Sequence, residues 1–398
     1  MSNTFIVDRP TESTHKEIAA ALRIMAANTR KELSDDWEGL AALADTGLFG
    51  EAYGIGDQFI DTWKDAATNA EYTYPFQLNH IGTVELEDAE SLSNRPFLQA
   101  HYAHPFGVQF SHQRAFLRCP SGLAAGTYYV TIESAWGTHV SAGDIVCFTT
   151  TVAVPAGGRV AGMYGAPDQA KSNWRIYTFS ADGKTILETI TPTFTASGTS
   201  LGTIKASVRN GDLNSMQETA YGNNNWEISA YRQYLNSRKG KGEWWTAQDE
   251  WDIAPDQLNT VSGFLCGISD ELYNSMQTVK VKTWKNNPTH GGVESYTYDK
   301  VFLPSKEELY YTPQKAGEGT YYPLMKEQLG LDSPLADYTN YAPNITYAIE
   351  NHSSAQVVRL RSAYLSNANG VWSAYASGDV GYGNASGASR CAPVCVIG

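Results

Sequence analysis

Few residues in this chain have the types and spacing that chemistry demands. Gly198-Thr199-Ser200-Leu201-Gly202 matches the string that raises a nucleophilic serine on a strand–turn–helix elbow. It lies between threonine-rich segments, so the sequence predicts a plain turn there. His101, His104 and His112 carry imidazoles that could ligate a metal. His101 and His104 fall in or beside an extended segment, where a three-residue separation puts side chains on opposite faces. Structural or surface histidines are therefore expected. Walker, dinucleotide-fingerprint and HExxH strings do not occur. The many acidic residues offer carboxylate pairs for glycosidase chemistry without singling one out. Cys391 and Cys395, four apart on a predicted strand, would share a face about 13 Å apart by strand rise. That exceeds the roughly 4.4–6.8 Å a disulfide spans, so both are read as small buried apolar groups. No catalytic residue, metal or cofactor is expected.

Binding chemistry stands out more clearly. From Ser362 to Ser389, 28 residues include six Ser, six Ala, five Gly, three Tyr and three Asn, and Asp379 is the only charge. Tyr and Trp give large contact area with few rotors, while Ser, Gly and Asn give adaptable hydrogen bonds. The candidate ligand-contacting side chains are Ser353, Tyr364, Asn367, Asn369, Trp372, Tyr375, Asp379, Tyr382 and Asn384. Leu365, Val371, Trp372 and Val380 are spaced to pin the stretch to a core.

The elements that must position these residues follow from periodicity. Thr14 and Glu17 form a capping pattern before Ile18, Leu22, Met25 and Leu33 at helical spacing. Ser34-Asp35-Asp36 opens a second helix that Gly47 can close. These helices over residues 1–50 either fold back on the body or form a docking stem. Phe76–Ile81 and Phe97–Tyr102 alternate like half-buried strands. Residues 108–205 are rich in strand signals, with a hairpin at Asp182-Gly183, and read as an inserted antiparallel sandwich. A helix carrying Trp226, Tyr231, Tyr234 and Leu235 follows, then another from about Gln257 to Met276. Beyond them come a strand at Lys300–Leu303, a short helix capped by Ser305 and Glu308, and an apolar strand from Cys391 to Ile397.

Composition sets the class. The 398 residues are 42% hydrophobic and 18% charged, which excludes a disordered or highly charged tail protein. A net charge of −13 argues against nucleic acid as a partner. No apolar run approaches the roughly 20 residues of a membrane span. The start of the chain has no signal-peptide pattern, and five scattered cysteines fit no disulfide framework.

Several blocks resemble a domain family common in phages and prophages. They are Tyr221-Gly222-Asn223-Asn224-Asn225-Trp226-Glu227-Ile228-Ser229 with Arg232, Gly263-Phe264-Leu265, Asp299 to Ser305 with Glu308, Arg359-Leu360-Arg361-Ser362-Ala363, and Arg390 to Ile397. The family resembles the C-type-lectin-like fold of formylglycine-generating enzymes and the variable proteins of diversity-generating retroelements. The resemblance implies an α+β, C-type-lectin-like domain over 51–107 and 206–398, discontinuous around the 108–205 insert. It further implies a phage adhesin on the virion surface, not an enzyme, whose C-terminal loops meet a bacterial surface protein or glycan. Other virion proteins and a homo-oligomer, a trimer, complete the expected partners, with no membrane insertion. The lectin calcium strings are missing apart from Asn287-Pro288, so calcium-dependent sugar binding is not expected. An architectural capsid or tail component and a glycan-acting enzyme of the particle are the alternatives.

Overall fold

The computed structural model describes residues 36–133, 139, 141–162, 170–204, 216–330, 332–335, 344–377 and 379–398. Within them the fold is mixed α+β, mostly strands in several sheets with few, short helices. The central sheet has five antiparallel strands in the order Gln58–Lys64, Glu71–Glu85, Ser91–Ala100, Val394–Val396, Val301–Phe302. Gln58–Lys64 buries every second residue, Phe59, Asp61 and Trp63, the period of a strand with one wet face. The two alternating segments read from the sequence pair directly, Leu78 opposite Leu98. The strand Val394–Val396 slots in between Ser91–Ala100 and Val301–Phe302, which forms the edge.

One large apolar core joins Trp37, Phe59, Trp63, Phe264, Phe302 and Cys395. His104 lies inside it, within 3.2 Å of the Tyr74 hydroxyl and 2.8 Å of the Tyr234 hydroxyl. Burial drops its pKa to about 3, which makes it a neutral structural imidazole. All five cysteines are free. Burial pushes the Cys391 thiol up to about 12 and raises Cys395 as well, so neither is a reactive thiolate. The helix Trp37–Asp45 starts where the acidic run predicted it, Asp36 accepting from the Gly39 N–H at 2.9 Å. Gly47, at φ +74°, follows it. Trp37, Leu40 and Ala44 pack into the core, so this helix folds back on the body. The helix expected over Thr14 to Leu33 lies outside the described residues.

Three helical expectations are corrected. Gln257 to Met276 is not one helix but two 3-10 turns, Asp256–Asn259 and Phe264–Cys266, and the helix Asp270–Ser275. Its periodic apolar residues do reach the core, yet the path is broken by close approaches. A Cβ on Gly263 would lie 2.4 Å from Ser237 O, and one on Gly267 would lie 2.5 Å from the Trp63 ring. The segment carrying Trp226 divides likewise into Trp226–Ile228 and Ala230–Leu235, because Ser229 caps the second by accepting from Arg232 N at 3.0 Å. Ser305 and Glu308 do exchange the two bonds of a capping box. The chain makes only a turn there and leaves through Tyr310 at φ +68°.

The described residues between 117 and 204 carry two further sheets, of four and three strands, around Val130, Phe148, Val160, Trp174 and Ile176. Asp182-Gly183 closes the expected hairpin, Gly183 at φ +72°. This stretch is not wholly antiparallel, since Thr199–Ile204 pairs parallel with Gly126–Ile132. The serine-containing string is therefore strand rather than turn. Gly198 admits this approach, because a Cβ there would meet Thr127 O at 2.0 Å. Val108–Gln109, at the start of the strand-rich stretch read from the sequence, pairs antiparallel with Ala388–Ser389.

Candidate ligand-binding face

Three antiparallel strands, Val358–Ala363, Gly370–Ala374 and Val380–Asn384, carry the tail, whose small residues and rings follow the two arginines Arg359 and Arg361. Trp372 stands opposite Tyr382 in register. Tyr364 and Tyr382 stack with centroids 3.8 Å apart and planes at 12°. Trp372 meets both edge-on, at 5.6 and 5.9 Å, a geometry aromatic quadrupoles favour. Small residues let the rings close. A Cβ on Gly370 would lie 3.0 Å from Tyr382 Cδ2. The Lys306 ammonium sits 3.8 Å above the Trp372 ring. Trp372 is 4% exposed and Tyr382 46%, with Tyr364 half-buried between them.

Beneath the rings, the backbone is fastened by side chains. Asn224 Nδ2 donates to the carbonyls of Tyr364, Asn367 and Gly370 at 3.2, 3.0 and 2.8 Å. Asn286 in turn donates to Asn224 Oδ1 at 2.8 Å. Asn367 Oδ1 accepts from the N–H groups of Asn369 and Gly370, which shapes the first tail loop. The buried Arg359 guanidinium donates to the carbonyls of Val371, Gly383, Asn384 and Gly387 and to the Ser389 hydroxyl, at 3.1–3.4 Å. Burial lowers its pKa to about 10, with Tyr231 and Tyr375 working the other way. Neither Asn224 nor Arg359 is a ligand candidate from sequence. Their signal is polar residues amid core-forming blocks, which buried hydrogen-bonding groups require.

The nine predicted contact residues do not form one face. Trp372 and Asn369 are corrected to supporting positions, since both are buried. Trp372 sits under Lys306, and Asn369 spends its amide on Asn384 Oδ1 at 2.7 Å. Tyr375 lies on the opposite side of the hairpin, because its ring occupies the space beside Gly381, which pairs with Ser373. Side chains on neighbouring strand positions point to opposite faces. Asp379 is at the hairpin tip, accepting from the Ser377 hydroxyl at 3.2 Å. Ser353 belongs to a different turn, held by Asn351 Oδ1 at 3.1 Å, where His352 stacks on Tyr102 at 4.1 Å. Asn367 turns its oxygen into its own loop. Tyr364, Tyr382 and Asn384 are what the fold brings together at the surface.

Among the described residues, no group of three or more His, Cys, Asp or Glu side chains is placed to hold a metal ion. Residues 187–397, just over half of the chain and all of the tail sheet, match the model of a family described as a domain of unknown function, DUF6273. No curated protein and no solved structure matches the chain.

Proposed function

The chain belongs to the DUF6273 family, and we propose that it is a phage structural protein without catalytic activity, an adhesin that holds a bacterial surface protein or glycan. The observation that carries this reading is the stacked pair Tyr364 and Tyr382, outward on a backbone already immobilised by Arg359 and Asn224. A contact surface whose loops are ordered in advance loses little conformational freedom on binding. The finer fold reading, a C-type-lectin-like domain, is supported by the resembling blocks. Trp226, Phe264, Val301, Leu360 and Cys391, one from each, share a single core. Those blocks make the frame, and the tail rings are its display. Homo-oligomeric placement on the virion surface belongs to the same reading.

The test is adsorption of the fluorescently labelled full chain to a panel of bacterial cells. Tyr382→Ala combined with Asn384→Ala should lose binding while unfolding cooperatively near the unsubstituted protein. Trp372→Ala is unsuitable, since emptying a buried Trp site costs about 3–5 kcal/mol. Equal adsorption by the double variant overturns the reading. Shortening of envelope polysaccharide by the purified chain would favour an enzyme. Burial of Tyr382 between subunits in electron micrographs of particles would favour an architectural component.

A further inference from the structure

Apart from the tail rings, a cleft of about 610 Å³ opens beside the ribbon formed by Val279–Trp284 and Glu294–Asp299, against the strand Glu71–Glu85. That volume is within the roughly 300–1,000 Å³ of small-molecule sites. Its floor is the buried pair Arg361–Glu308, bidentate at 2.5 and 2.8 Å. A second buried carboxylate, Glu318, accepts from Trp284 N at 2.9 Å and from the Ser362 hydroxyl. Gly319 passes directly over the floor, since a Cβ there would sit 2.3 Å from Glu308 Oε1. His80 and Tyr322 stack on one wall, with centroids 6.2 Å apart. Tyr296, 44% exposed, stands on the rim under the Lys280 ammonium at 4.6 Å.

The charges lining this cleft balance. Arg361, Lys280 and Lys282 face Glu85, Glu308 and Glu318. Lys280 pairs with Glu85 at 2.6 Å, and Lys282 with Glu294 at 2.7 Å. Burial lowers the His80 pKa against the pull of Glu308, so the imidazole adds no charge at neutral pH. An anionic ligand would meet carboxylates here and a cationic one ammonium groups. A hydroxyl suits both, because it donates and accepts at once, while the C–H faces of a sugar ring lie well on aromatic surface. We infer that this cleft binds a neutral saccharide, held by Tyr296 and Lys282 at the rim above the Arg361–Glu308 floor. The site is independent of the tyrosine face and stands whether or not that face binds cells.

The inference is tested by saturation-transfer NMR and calorimetric titration of the full chain. The probes are glucose, galactose, mannose and N-acetylglucosamine, with acetate and butylamine as charged controls. At least one neutral sugar should bind, and Tyr296→Ala and Lys282→Ala should each weaken it about tenfold. Both positions are at the rim, and an unchanged unfolding midpoint verifies that the fold survives. Tyr382→Ala should leave sugar affinity unchanged, which separates this site from the adhesin face. Binding of none of the four sugars overturns the inference. So does preference for acetate or butylamine, or a bound sugar indifferent to both rim variants.

Discussion

Arg359 and Arg361 stand two residues apart on one strand and are both 2% exposed, yet they support the two surfaces in different ways. Arg359 is solvated by neutral carbonyls of the tail loops. Arg361 is held by Glu308, with Glu318 close by. Burial opposes the charge on both. On Arg359 it wins, leaving a pKa of about 10, whereas on Arg361 the carboxylates outweigh it and hold the pKa above the ordinary value. The lesson is a division of labour. Carbonyl solvation locks the backbone in place without adding carboxylates. An ion-paired floor brings fixed charge to a cleft and ties it to pH.

The sharpest way to break this comparison is to remove each guanidinium. Arg361→Met leaves Glu308 and Glu318 buried without their cation, and should cost about 3–5 kcal/mol in urea unfolding. Arg359→Met leaves neutral carbonyls short of donors, at roughly 1–3 kcal/mol. Equal losses would erase the distinction.

A smaller effect concerns pH. Burial raises the Glu318 pKa above its ordinary 4.5, with Arg361 opposing. The folded state then holds that proton more tightly than the unfolded chain does. Its contribution is fully present below about 4.5 and is lost as pH climbs through the raised value. Glu318→Gln should flatten that decline in unfolding free energy measured from pH 4 upward. Arg359→Met should leave the decline unchanged. Smallest of all, Tyr382→Ala removes one stacked ring from an exposed edge and should lower stability by about 1 kcal/mol or less.

How legible these regions were from sequence differs as well. Period-two alternation located the central strands at Phe76 and Phe97, and Asp36 with Gly47 located a helix, because those signals are local. The tail composition marked a stretch of small residues and rings, and the strand Gly370–Ala374 within it is buried throughout. Composition could not say which rings face out, since that depends on register. Trp372 and Tyr375 are three apart and look equivalent in sequence, but Trp372 opposite Tyr382 packs under Lys306 while Tyr375 takes the other side at Gly381. The cleft was invisible because His80, Tyr296, Glu308 and Arg361 are brought together from distant segments. Apolar spacing over 257–276 correctly marked burial and wrongly implied a continuous helix, since contacts at Gly263 and Gly267 are long-range.

The central claim, that a stiff frame presents Tyr382 and Tyr364 for contact, is tested most directly by hydroxyl-radical footprinting of the chain alone and with bacterial envelope fragments. The account predicts that Tyr382 oxidises readily in the free protein and is shielded with the fragments, while buried Trp372 reacts little in either state. Shielding confined to other surfaces, with Tyr382 oxidised equally in both samples, would contradict it.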